Sequence, residues 1–274
     1  MKFHEFGDKN SPDIILIHGG GNSWWNYLRQ ARILSEEYHV ILPTLDGHGE
    51  ESQVDYVSTE KSALEILDYI KKNCNGKLFA IGGVSLGGQI VMEILSQDSE
   101  IVEKAIIDGS ICIPQPKLAR ISILLVSLFG KLMFSKFACR IQLSLMDKMY
   151  PKIAYPDELK RYYMEDMPRI SVKTLIRIYK TYMQHYKLKS TISKSKAKVL
   201  YIYGEKELNC IKESARLFQQ VHPNTISYEA KDYNHGYLST YLPQEWVELV
   251  YPFLKEQQLK NYLWYEIEKV SVKF

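Results

Sequence analysis

The chain has 274 residues, 46% of them hydrophobic and 24% charged, with a formal net charge of +3. That balance excludes a disordered chain and supplies apolar surface for a sizeable core. The four cysteines (Cys74, Cys112, Cys139 and Cys210) have no CxxC or metal-ligand spacing, residues 1–10 lack the apolar run of a signal peptide, and the longest uncharged apolar stretch, 121–130, is about half of what a membrane span needs. The expected setting is the cytoplasm.

In chain order, residues 2–6 can make a short strand, and residues 13–17 (DIILI) read as a buried strand whose β-branched run suits a parallel sheet. His18-Gly19-Gly20-Gly21-Asn22 follows at once, a glycine-rich loop able to turn backbone N–H groups into a crevice. Residues 23–37 suit a helix and 38–42 a strand, which ends in the turn-rich loop Pro43 to Glu50 containing Asp46-Gly47-His48-Gly49. Residues 60–72 carry apolar side chains at helical spacing among charges, the pattern of a helix lying on a sheet.

Residues 77–95 (KLFAIGGVSLGGQIVMEIL) pass from a short apolar run through a glycine-rich turn into an apolar-periodic helix. Ser85 stands at the centre of that turn. A sharp strand-to-helix bend leaves no room for side chains two positions to either side, and Gly83 and Gly87 supply the space. In this G-x-S-x-G arrangement the hydroxyl projects at the end of a strand, while the N–H of Leu86 and the start of the helix face a developing oxyanion. A strand at 103–107 ends at Asp108-Gly109.

From Cys112 to Lys196 the strand-helix alternation stops, and only helical patterns separated by prolines and Gly130 appear. This stretch holds 17 Lys+Arg against 5 Asp+Glu, a net +12 that leaves −9 for the rest of the chain. Alternation resumes with a strand at 197–203 before Gly204-Glu205-Lys206-Glu207, a helix at 211–220, a strand at 225–230, the segment Asn234-His235-Gly236, and a helix over 243–259. The reading divides the chain into a first core part (1–111), a helical cap (112–196) and a second core part (197–274), with the aromatic tail 261–274 left unplaced.

Such alternation predicts an α/β fold with a mostly parallel sheet and helices on both faces. Active groups of these sheets gather at the carboxyl ends of the strands, where His18 to Gly21, Asp46 to Gly49, Ser85, Asp108, Glu207 and His235 all fall. On HGGG at 18–21, DGHG at 46–49, GVSLG at 83–87, GEKE at 204–207 and NHG at 234–236, the chain resembles the α/β-hydrolase family, specifically members with a helical cap inserted late in the sheet. The resemblance implies a serine hydrolase that cleaves an ester or thioester through an acyl-enzyme without cofactor. Ser85 would be the nucleophile, His235 the general base and Glu207 the acid that fixes the imidazole tautomer, with Asp108 an alternative acid. Leu86 and Gly20 or Gly21 would supply the N–H groups of an oxyanion hole. Glu207 departs from the Asp more usual at its position. The short N-terminus departs too, implying a missing first strand and a sheet of about seven.

His18 and His48 read better as loop-shaping residues than as bases, and no histidine has the paired spacing of a metal ligand. His4, His39, His185 and His222 read as surface or strand residues. Trp24, Trp25 and Tyr27 either line a pocket or anchor the following helix. Ile121, Leu124, Leu125, Leu128, Phe129, Leu132 and Met133 follow helical spacing, so most are expected to pack inward, with Leu128 and Phe129 lining an acyl pocket. The basic cap is either a solvated face or an attraction to anionic substrates or an anionic membrane surface. Rival functions on the same residues are a lysophospholipid or monoacylglycerol-type hydrolase, a carbon-carbon bond hydrolase and a non-catalytic ligand receptor. Nothing points to nucleic acid, since the basic segment lacks a stacking platform.

Overall fold

The apolar runs assemble into one seven-stranded sheet in the computed structural model, which describes residues 1–149 and 153–256. Its strands are β1 (Lys2–Phe6), β2 (Asp13–Ile17), β3 (His39–Thr44), β4 (Leu78–Val84), β5 (Val102–Asp108), β6 (Lys198–Gly204) and β7 (Thr225–Ala230), in the spatial order β1-β3-β2-β4-β5-β6-β7. β1 pairs antiparallel with β3, and every other pairing is parallel. The α-helices are α1 (Leu28–Leu34), α2 (Thr59–Asn73), α3 (Leu86–Gln97), α4 (Pro116–Met133), α5 (Lys136–Met149), α6 (Asp157–Asp166), α7 (Val172–Ile178), α8 (Asn209–Val221), α9 (Tyr237–Tyr241) and α10 (Pro243–Leu254).

The period of two along each strand sorts its side chains into two cores. Ile15, Ile17, Ile41, Ile81 and Tyr201 face α2, α3 and α8, while Ile14, Leu16, Val40, Leu42 and Leu200 face α1 and α10. Burial on both faces is why the central strands read as continuous apolar runs rather than alternating ones.

The chain leaves the sheet after β5, builds α4 to α7, a π-helical turn (Tyr179–His185) and a 3-10 turn (Ser190–Lys194), and returns in β6. This segment is keyed to the helix behind Ser85. Gln89 of α3 donates to the carbonyl oxygens of Ile111 (2.8 Å) and Tyr182 (3.0 Å), and its own carbonyl accepts from the Thr59 hydroxyl (2.9 Å).

Four expectations change. The helix read at 23–37 is split into a 3-10 turn (Trp24–Tyr27) and the shorter α1. The five-residue α9 was not legible because Gly236, at φ 57°, and Pro243 confine it to little more than one turn. The last helix ends at Leu254, short of the expected 259, because the chain turns at Lys255 and Glu256 (φ 54°); residues 257–259 and the tail 261–274 lie outside the described residues. The largest departure is α4. Its stripe Ile121, Leu124, Leu125, Leu128, Phe129, Leu132 and Met133 does not pack inward: each is between 43% and 65% exposed. The face that packs is built from Ala119, Val126 and Gly130, small enough for close approach, and Gly130 lies against Val172.

Candidate active site

Ser85 is held where an L-residue is strained, at φ 54° and ψ −113°, between the last residue of β4 and the first of α3. Strain of this kind costs about 1–3 kcal/mol and persists only when the surroundings enforce it. Here the end of β5 does so. The Ser85 N–H donates to the Asp108 carbonyl at 2.8 Å, and the Ser110 hydroxyl donates to the Ser85 carbonyl at 2.6 Å. The flanking glycines have no room for a methyl group: a Cβ on Gly83 would strike the backbone of Gly87 and Gly88, and one on Gly87 would strike the carbonyl of Ile17.

His235 and Glu207 meet across the loops that follow β7 and β6. The imidazole Nδ1–H donates to Glu207 Oε2 at 3.0 Å, while Glu207 Oε1 accepts the Gly204 N–H at 3.0 Å. The carboxylate side chain is fully buried and the imidazole is 47% exposed. Burial pulls the imidazole pKa down, but the hydrogen bond and charge of Glu207, with the charge of Asp108, outweigh it and leave the group above its usual value. With Nδ1 engaged as donor, the neutral ring presents Nε2 as an acceptor.

Asp108, the alternative acid, is buried beneath the pair. Its Oδ2 has no hydrogen-bond partner among the described residues, and burial pushes its pKa up to about 7 against the opposing Ser239 hydrogen bond, with the Glu207 charge adding to the rise. Of the two carboxyl groups, Glu207 is the one bonded to the imidazole. Backbone packing carries this group to Ser85: a Cβ on Gly109 would lie 3.1 Å from both Glu207 Oε1 and His235 Nδ1, and one on Gly236 would lie 2.9 Å from Val84 Cγ2, next to the serine. The serine hydroxyl itself turns elsewhere. Its hydrogen bond, a long one at 3.5 Å, is to the Tyr182 hydroxyl, and it makes none with His235.

Tyr182 is the site residue that sequence reasoning missed. It is buried, and comes from the π-helical turn of the inserted segment, a position no local motif marks.

The glycine loop after β2 faces the start of α3. A Cβ on Gly20 would touch Leu86 at 3.7 Å, and Leu86, as the first residue of α3, has no intrahelical acceptor for its N–H. Gly21 (φ 91°) is turned toward Met167 of the inserted segment. His18 is wholly buried: Nδ1–H donates to the Gly19 carbonyl (2.8 Å) and Nε2 accepts the Leu45 N–H (3.0 Å), which ties the loop at 18–21 to the loop at 46–49. Burial lowers its pKa well below the usual range and that of His48 to about 4, so both rings are neutral. His222, read as a surface or strand residue, is buried between Thr225 and the Ser195 carbonyl. Burial raises the Cys112 thiol to about 12, and the residue packs as an inert group against Ser214.

The three residues considered for substrate contact, Trp24, Leu128 and Phe129, stand elsewhere. Trp24 stacks on His4 (ring centroids 4.2 Å apart) and meets Tyr162 edge-on, which makes it a clamp between β1 and α6. Leu128 and Phe129 stand on the outer face of α4, 65% and 50% exposed. The apolar cavity lies elsewhere: about 510 Å³ between α5, α6 and α9, lined by Leu143, Met146, Tyr155, Tyr163 and Tyr241 and reaching Asn234 and Tyr237 on either side of the His235 turn. Neither Ser85 nor His235 forms part of its wall. Trp25 anchors its neighbourhood: its indole N–H (2.9 Å) and the Ser23 hydroxyl (2.7 Å) both donate to buried Asp166 at the end of α6.

A strained serine heading a helix at the carboxyl edge of a parallel sheet, with an imidazole-carboxylate pair packed beside it, is the arrangement of the hydrolases built on this sheet. The family described as the alpha/beta hydrolase fold matches residues 12–237, and the chain belongs to it. Among characterised relatives, it is 36% identical over 93 residues to Lipase 1 of Psychrobacter immobilis, an alignment covering 33% of this chain and 29% of that protein. The chain spans less than two fifths of the length of the curated relatives it matches. Among solved structures it is similar to a thermophilic esterase of Thermogutta terrifontis (TM-score 0.73, 14% identity, 93% of both chains). It is equally similar in fold to a carboxylesterase structure from the thaumarchaeon Nitrososphaera gargenis (TM-score 0.73, 18% identity, 93% of this chain and 94% of that one).

Proposed function

We propose that this chain is a serine hydrolase that cleaves a carboxylic ester or thioester through an acyl-enzyme, with Ser85, His235 and Glu207 as its triad. The observation that carries the reading is the Glu207–His235 hydrogen bond of 3.0 Å, which leaves Nε2 free to accept a proton beside the strained serine turn. His235 removes the Ser85 proton as Oγ attacks the acyl carbon. The carbonyl oxygen gathers charge as the tetrahedral intermediate forms, and the N–H groups of Leu86 and Gly20 receive it, aided by the positive end of α3. The imidazolium, stabilised by buried Glu207, then protonates the departing alcohol or thiol. Water attacks the acyl-enzyme by the same route and frees the acid. Gly21, in the same loop, is the alternative donor.

The hydroxyl of Ser85 rests on Tyr182 rather than His235, so attack requires the hydroxyl and the imidazole to come together, a contact commonly loose before substrate arrives. A fatty-acyl ester is the substrate class favoured within this reading. An apolar, tyrosine-lined cavity of about 510 Å³ adjoins the His235 turn, and the relative from Psychrobacter immobilis carries the name Lipase 1. Turnover of p-nitrophenyl esters from acetate to decanoate tests both parts. A preference for longer chains with loss of turnover in Ser85→Ala supports the reading, and wild-type rates in Ser85→Ala overturn it.

A further inference from the structure

α5 carries an exposed apolar row of its own next to the outward stripe of α4: Phe137 (70% exposed), Ile141 (44%), Leu145 (50%) and Met149 (60%) fall at i, i+4, i+8 and i+12. Beside it runs a second exposed row, Lys136, Arg140 and Lys148, and on α4 Lys117, Arg120 and Lys131 stand at the two ends of the leucine stripe. None of these six cations has a carboxylate within salt-bridge distance among the described residues, and the single acid of the two helices, Asp147, is bonded to Lys160 of α6. Together α4 and α5 have the length and apolar content of a membrane span, yet they are bent by 90° at their junction, and neither helix alone is long and apolar enough to cross. A soluble helix pair buries its leucines and exposes its charges. This pair exposes both, side by side.

We infer that the α4–α5 face docks on an anionic lipid bilayer, its leucine and phenylalanine side chains entering the acyl boundary while the lysines and arginines meet the headgroups. Sign decides among the occupants. A second copy of the chain would bring two unpaired basic rims together, and like charges oppose that contact. The chain's own residues 257–274 hold three Lys and two Glu, a net +1 that does not complement the face either. A bilayer carrying phosphatidylglycerol offers both partners at once, an apolar phase and a plane of negative charge. The cavity beside the His235 turn opens toward this face, since Leu145 and Met149 belong to both. Delivery of an acyl chain from the bilayer rests on the hydrolase reading, whereas the docking itself does not.

Sedimentation of the full chain with phosphatidylcholine–phosphatidylglycerol vesicles, without substrate, tests the docking. Binding at low salt is expected, with little to pure phosphatidylcholine. Lys131→Gln and Arg140→Gln should each weaken binding about fivefold, and Leu128→Asp and Phe137→Asp each at least about tenfold, with circular dichroism spectra and melting curves unchanged. Absence of vesicle binding by the wild type, equal binding by all variants, or a concentration-dependent dimer that Leu128→Asp and Phe137→Asp dissolve would each overturn the inference. Vesicle binding in a chain that hydrolyses no ester would support the docking and remove the catalytic reading.

Discussion

Replacing Glu207 with Gln changes one oxygen for one amide group, and the hydrogen bonds dictate the consequence. The amide oxygen keeps the Gly204 N–H, because that backbone group can only donate and the amide NH2 cannot accept from it. The amide nitrogen then faces His235 Nδ1 and can only donate to it, so the neutral ring must carry its proton on Nε2. That tautomer presents a hydrogen to Ser85 where a base is needed. Loss of both the tautomer and the charge that stabilises the imidazolium costs about 10⁴-fold in kcat by the logic of such triads, close to 5 kcal/mol of barrier. Asp108→Asn makes no such change, because Asp108 is not bonded to the imidazole, and its kcat should fall by about tenfold at most, the size of a one-unit shift in the imidazole pKa. Steady-state turnover of a p-nitrophenyl ester measures both. A nearly active Glu207→Gln enzyme, or collapse of Asp108→Asn alone, would refute the assignment of the acid.

Other outcomes follow from the same contacts. The imidazole pKa is raised chiefly by the hydrogen bond and charge of Glu207, so kcat/KM should rise with pH through an inflection above the ordinary histidine value of about 6.5. Asp108 itself, pushed up to about 7 by burial, binds its proton more tightly in the folded chain than in the unfolded one. Its contribution to stability is therefore complete at pH below about 4 and falls away as pH rises to about 7, by roughly 4 kcal/mol at most. The melting temperature of Asp108→Asn relative to wild type should climb across that window, and a pH-independent difference would contradict the buried neutral carboxyl. Asp166→Ala leaves the Ser23 hydroxyl and the Trp25 indole N–H as buried donors without an acceptor, for a loss of about 2–4 kcal/mol in urea unfolding. Gly87→Ala drives a methyl group into the Ile17 carbonyl and should lose about 3 kcal/mol or fail to accumulate as folded protein.

The strands and the serine turn were legible because their signals are local. A β-branched run buried on both faces has a length and composition that little else shares, and the observed strands fall within a residue or two of the expected runs, except that β4 continues three residues past its apolar run through Gly82, Gly83 and Val84. Ser85, Glu207 and His235 could be singled out because each lies in the turn or loop that leaves a strand, where a parallel sheet collects its loops. Tyr182 was not legible, since it reaches Ser85 through tertiary docking of the inserted segment. The stripe of α4 shows a different limit: periodicity gave the phase of the apolar face correctly but carries no information about what that face meets, and here it turned outward. For the same reason Leu128 and Phe129 were expected in a pocket whose walls α5, α6 and α9 supply.

The proposed chemistry requires one hydroxyl to be far more nucleophilic than the rest. Intact-mass analysis after a short exposure to a fluorophosphonate tests that requirement directly. The account predicts a single phosphonyl adduct that peptide mapping assigns to Ser85, absent in Ser85→Ala and greatly slowed in His235→Ala. An unlabelled wild-type chain, or an adduct that persists in Ser85→Ala, would contradict it.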